Sequence, residues 1–520
     1  MTAPDVSFAP APATSMIPIS LGTPQQFVTL RNFLLSAPYT GPEICRRVGI
    51  ASIYEFRTVR EGRAADPILR DTLDVLIRLF LDGEAVGGDV VRTRVPDDAL
   101  RVMREVGLLV PGSESGETYA ANVLLYPTES VFIISDLPSG AGALRSAPAA
   151  DAVYPAITTS TQTFLVALPP TPCDSFLELC SGTGIAALAA ARHARRAWAV
   201  DITERATRYA QFNALLNGID NVEVVQGNLY DGVTGLTFDR IVAHPPYVAA
   251  FEPQFVYRDG GPDGEQITAR IIAGLPEHLR PGGRFYCTCV ATDRRGAPLE
   301  QRVRAMLGAR EREFDVLVVA RQTHSPSEYY FRLAVAGRTT FADAEQWQAH
   351  FRTLEVERLV FGWIVVQRHA ETRTAFTVRR PCGPRTGSRE IEWLLDWESR
   401  AAEPETRRRL LEARLALSPH TRLRAVQRAV SGEWVAEARS IMTDAPFPAS
   451  VDCSADVAAF LAHCDGTRTA RDHLRSLRSQ GVVGPDMDED QFALMLHSLI
   501  GSGFLTLGES GSAAGVVADG

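Results

Sequence analysis

The sequence predicts an α/β fold: a doubly wound domain, with a mostly parallel sheet ending in an antiparallel hairpin, flanked on both sides by helical, winged-helix-like domains. Three observations carry this prediction. From about residue 151 to 338, short apolar strands alternate with amphipathic helices, the pattern of a parallel sheet covered on both faces. A glycine-containing turn, Gly182 to Gly184, joins the first of those strands to the helix that follows. On either side of this block the apolar spacing is mostly helical.

The elements follow in order. Residues 1–16, rich in Ala, Pro and Ser, are expected to be disordered. Residues 17–145 read as a helical, winged-helix-like domain. In it "DPILRDTLDVLIRLFLDG" sets Ile68, Leu69, Leu73, Leu76, Ile77 and Phe80 along one face, and "DDALRVMREVGLLV" with "TYAANVLLYPTESVFIISD" reads as helix, short strand and hairpin. Residues 146–380 hold the α/β domain, whose strands include "SFLEL", "AWAVD", "VEVVQG", "FDRIVA" and "GGRFYCTCV". Its end hairpin is expected from "EFDVLVVAR" and "YYFRLAVAG", joined by the short "QTHSPSE". An extra helix and two strands, "RLVFGWIVVQRH" and "TAFTVRR", fill 339–380. After the Pro/Gly linker "PCGPRTGS", residues 389–508 read as a mainly helical, winged-helix-like domain, and 509–520 as a disordered tail.

Composition narrows the function. The chain has 520 residues, 45% of them hydrophobic, enough for several cores. Its formal charge of −9 opposes the attraction that a nucleic-acid binder needs, and nucleic acid is not the expected partner. No lysine occurs, so every basic side chain except histidine is arginine. Eight scattered cysteines form no CxxC pair, which argues against a metal site and against a disulfide framework. No apolar run approaches the roughly 20 residues that span a bilayer, and the start lacks the character of a secretory signal. The expected address is the cytoplasm, with no membrane partner.

The strand-turn-helix "FLELCSGTGIAALAAA" is a candidate nucleotide site. Cys180, Ser181, Gly182, Thr183 and Gly184 form the turn, its glycines permit close backbone approach, and the helix behind presents free N–H groups. Glu178 at the strand end suits an amino-acid ammonium and would repel a pyrophosphate. Asp201 closes the second strand about 20 residues on, where a carboxylate can hold ribose hydroxyls. Asn228 stands where an adenine edge can be read by an amide, with Ile202 and Leu229 as apolar faces for the ring. Together these residues favour S-adenosyl-L-methionine over a dinucleotide.

The fourth strand, "FDRIVA", breaks at the corner His244, Pro245, Pro246, Tyr247. With "ELCSGTG", Asp201, "FEP", "RDGGPDGEQITARII" and "LRPGGRF" in the same order, the stretch from about 151 to 335 resembles the Rossmann-like class I S-adenosylmethionine methyltransferases. Among these it is most similar to the HemK-type protein-glutamine methyltransferases and related small-domain N-methyltransferases. The resemblance implies methyl transfer at the corner. Consecutive prolines hold the chain rigid, so that nearby carbonyls accept the hydrogens of an acceptor nitrogen, and Tyr247 offers a flat wall for stacking. Transfer is then governed by positioning and exclusion of water. His244 departs from the family, which has Asn or Asp there. It either serves as a general base or shapes a diverged pocket, and it borders the cofactor as well. Glu252 and Thr159 are candidate acceptor contacts beside Tyr247.

The reading is therefore an S-adenosylmethionine-dependent N-methyltransferase acting on a specialised small-molecule or peptide acceptor, with a protein partner engaged through the N- or C-terminal domain. Two alternatives stand beside it. One is a methyltransferase-fold protein turned to a non-methylating reaction such as ring closure, or to a scaffold role. The other is an adenine or guanine N-methyltransferase acting on nucleic acid.

Overall fold

The computed structural model describes residues 16–60, 68–112, 117–128, 131–137, 149–401, 403–484 and 486–508. The expectations for residues 1–15 and for the tail 509–520 lie outside them. The described residues form two compact units. One runs to Glu311 and takes in Ser325–Leu359 and Trp363–Glu371; the other comprises Arg312–His324, Val360–Gly362 and the residues from Thr372 on.

The first unit contains the sheet that positions the site. Strands β1 (Cys173–Leu179), β2 (Ala194–Asp201), β3 (Val222–Gln226), β4 (Phe238–Ala243) and β5 (Leu279–Arg294) lie in the order β5-β4-β1-β2-β3, each neighbouring pair parallel. The strands at the centre read as unbroken apolar runs because both faces are covered: Phe176, Leu177, Leu179, Ile241, Val242 and Ala243 are all buried. Helix α1 (Thr159–Val166) precedes β1, α2 (Ile185–Ala190) and α3 (Glu204–Asn217) follow β1 and β2, and α4 (Gln266–His278) precedes β5. Thr203 caps α3 by accepting from the Ala206 N–H, and Gly218 ends it at φ 65°, a left-handed conformation that glycine adopts without a side-chain clash.

The N-terminal part of this unit shares a core with α3. Its helices include Pro24–Ser36, Thr72–Phe80, Gly88–Arg94 and Asp97–Glu105. A sheet of Val86–Gly87, Thr118–Ala121 and Leu109–Pro111 and a hairpin of Leu124–Pro127 and Phe132–Ser135 complete it. Phe27 meets Phe212 edge-on at 4.9 Å between ring centroids, inside one continuous apolar cluster. Two amides on α3 act as a surrogate strand. Asn217 Oδ1 accepts from the Phe132 N–H at 2.8 Å and its Nδ2 donates to the Phe132 carbonyl at 2.7 Å, while Asn213 does the same for Ile134 at 2.8 and 3.3 Å. Arg205, also on α3, makes a buried ion pair with Asp136 at 2.6 Å.

One predicted strand is a helix. "YYFRLAVAG" lies almost wholly within the helix Pro326–Val335, and the "SPSE" that closes "QTHSPSE" is a helix start, not a hairpin turn. Ser325 accepts from the Glu328 N–H, Pro326 occupies the first turn, and Glu328 pairs with Arg332 one turn on. These local terms outweigh the strand preference of Tyr, Phe and Val. "TAFTVRR" forms the expected strand, Thr377–Pro381, parallel to Phe314–His324 in the second unit.

The rest of the second unit differs from the mainly helical expectation. Helices Ser388–Ser399, Pro404–Glu412, Ala455–Ala462, Ala470–Ser479 and Glu489–Gly501 are present. They are joined by a sheet of Asp465–Thr469, Arg414–Leu417 and Leu505–Leu507, and by an antiparallel ribbon of Arg422–Val430, Glu433–Thr443 and Ala449–Asp452. The ribbon turns at Ser431 (φ 50°) and Gly432 (φ 89°). Two positive φ values at a two-residue loop match the twist of a hairpin.

Candidate active site

The sheet register puts the two sequence motifs side by side. Leu179 pairs with Ala243, so the turn Cys180–Gly184 and the corner His244–Tyr247 leave adjacent parallel strands at the same edge. In an open α/β sheet that carboxyl edge is where ligands bind.

The turn is held from three sides. Glu178, buried, accepts from the Ala186 and Ala187 N–H groups at 3.2 and 2.8 Å, so its carboxylate faces the first turn of α2. Burial pushes that carboxyl up to about 8, and the two amide donors pull against the shift. Asp201 Oδ2 accepts from the Gly182 N–H at 2.9 Å while Oδ1 accepts from the Thr203 N–H at 3.1 Å, tying the turn to the end of β2. Burial raises the Asp201 carboxyl as well. The Thr183 carbonyl accepts from Asn213 Nδ2 at 3.0 Å.

The turn has the form of a cradle. Gly182 (φ 51°) faces open space where a side chain would stand, and Gly184 (φ 76°) lies so close to Ala210 that an added Cβ would come within 3.1 Å. Cys180 (φ 54°) and Leu229 (φ 57°) are in the left-handed region without being glycine, and both follow strand ends at this edge. Strain of that kind gathers at ligand sites. Ser181 Oγ is buried without a protein partner, and Ile202 next to Asp201 is 42% exposed. Asn228 is half-buried and accepts from Arg270 at 3.3 Å; the Leu229 side chain is buried. A buried hydroxyl in want of a partner, a glycine open to space and an exposed apolar side chain beside a carboxylate fit an adenosine-bearing cofactor.

The corner is clamped by aromatic rings. The His244 ring lies 5.3 Å from Phe164 of α1 and 5.7 Å from Tyr247, the latter nearly parallel at 21°. Burial lowers the imidazole to about 4, so the ring is neutral at physiological pH. Burial pushes the Tyr247 hydroxyl up to about 12, with Tyr154, Cys289 and Tyr329 adding to the rise and the nearby Ser160 hydroxyl drawing against it. Beneath the corner runs the loop "RDGGPDGE". Val248 N–H donates to the Arg258 carbonyl at 2.9 Å and Gly260 N–H to the Val248 carbonyl at 2.8 Å. A Cβ on Gly260 would lie 2.6 Å from the Pro246 oxygen, and one on Gly264 (φ 78°) 2.5 Å from the Tyr247 oxygen. The Pro246 and Tyr247 carbonyls therefore face the loop. The His244 and Pro245 carbonyls accept no loop or cap hydrogen bond among the described residues. Asp259, buried, holds the loop start by accepting from the Gln254 and Phe255 N–H groups at 2.6 and 2.9 Å.

Glu252 and Thr159 are both exposed. On α1 it is Ser160 and Phe164, four residues apart, that turn to the corner. Sequence reasoning missed both because "TTSTQTF" reads as a Ser/Thr-rich loop; Thr158 instead caps a helix there. Tyr154 and Tyr329 were also missed as neighbours of Tyr247. Phe251, in "FEP", stacks on Trp347 at 4.0 Å. Among the described residues no cluster of His, Cys, Asp and Glu suits a metal ion.

Residues 154–317 match the family model described as "Methyltransferase small domain". Fold, site and match together define a class I S-adenosylmethionine-dependent methyltransferase domain. Curated relatives within that class are named for protein glutamine. The ribosomal protein uL3 glutamine methyltransferase of Bradyrhizobium diazoefficiens is 36% identical over 132 residues, 23% of this chain and 41% of that protein. The release factor glutamine methyltransferase of Xylella fastidiosa is 36% identical over 118 residues, 20% of this chain and 43% of its own length. That of Moorella thermoacetica is 36% identical over 128 residues, 22% and 45% respectively. The chain thus spans less than half the length of these three relatives. Among solved structures, ribosomal protein L11 methylase from Lactobacillus delbrueckii subsp. bulgaricus has a TM-score of 0.25 at 17% identity, over 40% of this chain and 80% of its own.

Proposed function

We propose that the protein transfers a methyl group from S-adenosylmethionine to a neutral nitrogen of a protein acceptor. The observation that carries the reading is the register of Leu179 against Ala243, which brings the cofactor turn and the clamped corner to one edge. The relatives' names support a protein substrate.

The turn Ser181–Gly184, Asp201, Ile202 and Asn228 would hold the cofactor. When bound it would supply a methyl group on a positively charged sulfur: the nitrogen–carbon bond forms as the carbon–sulfur bond breaks, the sulfur leaves as a neutral thioether, and one hydrogen of the nitrogen is given up to solvent as a proton. This chain's residues align the nitrogen with the carbon. The His244 and Pro245 carbonyls can accept N–H hydrogens, and the imidazole of His244 can accept or donate one further bond. With its proton affinity pressed down to about 4, His244 is a poor base at neutral pH, which favours hydrogen bonding over proton abstraction. Tyr247 and Phe164, packed on either side of His244, exclude water around the acceptor. The rings that clamp the corner suit a flat amide or ring nitrogen better than a charged ammonium.

Incubation of the protein with methyl-labelled S-adenosylmethionine and separated protein, RNA and small-molecule fractions tests this. Label is expected in protein, and its absence there would overturn the reading.

A further inference from the structure

The ribbon in the second unit offers an unpaired strand edge. Arg422–Val430 pairs only with Glu433–Thr443 among the described residues, and all nine of its residues are exposed. Strands alternate their side chains, so Arg422, Arg424, Val426, Arg428 and Val430 share one face. Across the ladder Met442, Ser440, Ala438 and Val435 stand opposite the first four on the same face. Arg428 has a loose ion pair with Glu437 at 4.0 Å, on the residue displaced by the register shift; no ion pair of Arg422 or Arg424 is found among the described residues. Residues 422–443 contain four arginines against two glutamates, in a chain whose formal charge is −9.

We propose that this edge docks an extended acidic segment of a partner protein as an added strand. The added backbone pairs with the exposed amides and carbonyls of Arg422–Val430, carboxylates stand opposite Arg422, Arg424 and Arg428, and an apolar side chain covers Val426. A second copy of this chain does not suit the edge, because it would set one arginine row against another. The chain's own undescribed segments do not suit it either: none of 1–15, 61–67, 113–116, 129–130, 138–148 and 509–520 has two carboxylates two positions apart. RNA would use the arginines but not the strand edge, and valines interrupt the row. The proposal does not depend on methyl transfer.

The test uses the full chain and a fluorescent nonapeptide with glutamate at positions 1, 3, 7 and 9 and valine at 5, a pattern that reads alike in both strand directions. Saturable binding is expected, with slowed hydrogen exchange of the amides in 422–430. The double substitution Arg422→Glu with Arg424→Glu, at exposed positions, is expected to weaken it at least 10-fold while leaving the melting temperature unchanged. The same peptide with lysine for glutamate is expected not to bind. Binding of a labelled single-stranded RNA without binding of the acidic peptide would reassign the face to nucleic acid and overturn the proposal. Binding of neither would also overturn it and leave the arginines as guards against edge-to-edge aggregation. Peptide binding without protection of 422–430 would overturn the docking mode.

Discussion

At the residue scale the corner turns on His244. Its imidazole is lowered to about 4 by burial, from about 6.5 in an unfolded chain. Between those values the unfolded state binds more protons, so stability attributable to this ring is complete above about 6.5 and is lost as pH falls toward about 4. An NMR titration of the ring is expected to show a midpoint near 4, and one near 6.5 would mean that the ring is open to water. Phe164→Ala removes one wall of the clamp and is expected to move that midpoint upward. The turn Cys180–Gly184 with Glu178 and Asp201 was legible as a group because glycine spacing and a carboxylate at each strand end are local patterns. Ser160, Phe164, Tyr154 and Tyr329 were not, since they reach Tyr247 and His244 only through the tertiary fold. Glu178 stands at the strand end as expected, and in this structure its carboxyl meets two backbone amides. A carboxylate at a strand end reads as a ligand group, yet here the N–H groups of Ala186 and Ala187 lie closer at hand.

At the element scale the glycine loop braces the corner. Gly264→Ala would put a methyl 2.5 Å from the Tyr247 oxygen at a φ of 78°, so the loop must move and carry the corner with it. Turnover is expected to fall on the order of 100-fold, as for a displacement of about 1 Å, with cofactor affinity retained. Calorimetry with the cofactor beside a methyl-transfer assay separates the two. The loop's presence was legible in "RDGGPDGE", but its purpose was not, because close approach between two backbones leaves no periodic trace. The helix Pro326–Val335 teaches the converse. Its apolar residues suit a strand, and the Ser-Pro-x-Glu start that makes it a helix is written in capping chemistry. The ribbon at 422–443 was missed for a related reason: alternation that buries neither face of Arg422–Val430 does not stand out as apolar and polar stripes, although Ser431-Gly432 is a hairpin turn.

At the scale of the whole molecule, two buried polar contacts stand out among those that bind the N-terminal part of the first unit to α3 and the turn before α2. Asp136 takes two hydrogen bonds from Arg205 at 2.6 and 2.7 Å and one from Tyr209 at 2.7 Å. Asp136→Ala removes the carboxylate hydrogen-bonded to a buried guanidinium, on which Asp151 still acts, and is expected to cost about 3 kcal/mol in urea denaturation. Cofactor at 100 times its dissociation constant is expected to stabilise the protein by about 2.7 kcal/mol, read as a rise in melting temperature. Asp201→Ala is expected to abolish that rise. The second contact is the side-chain amide of Asn213, wholly buried, which touches both the backbone of Ile134 and the carbonyl of Thr183. A shortened chain begun at residue 150 would therefore keep every motif of the methyltransferase and still be crippled. Its cofactor turn would lose an anchored neighbour, and a side chain built for a dry interior would open to water. Dissection of this protein must respect that junction, so the smallest working catalyst is expected to be larger than the stretch that looks like one.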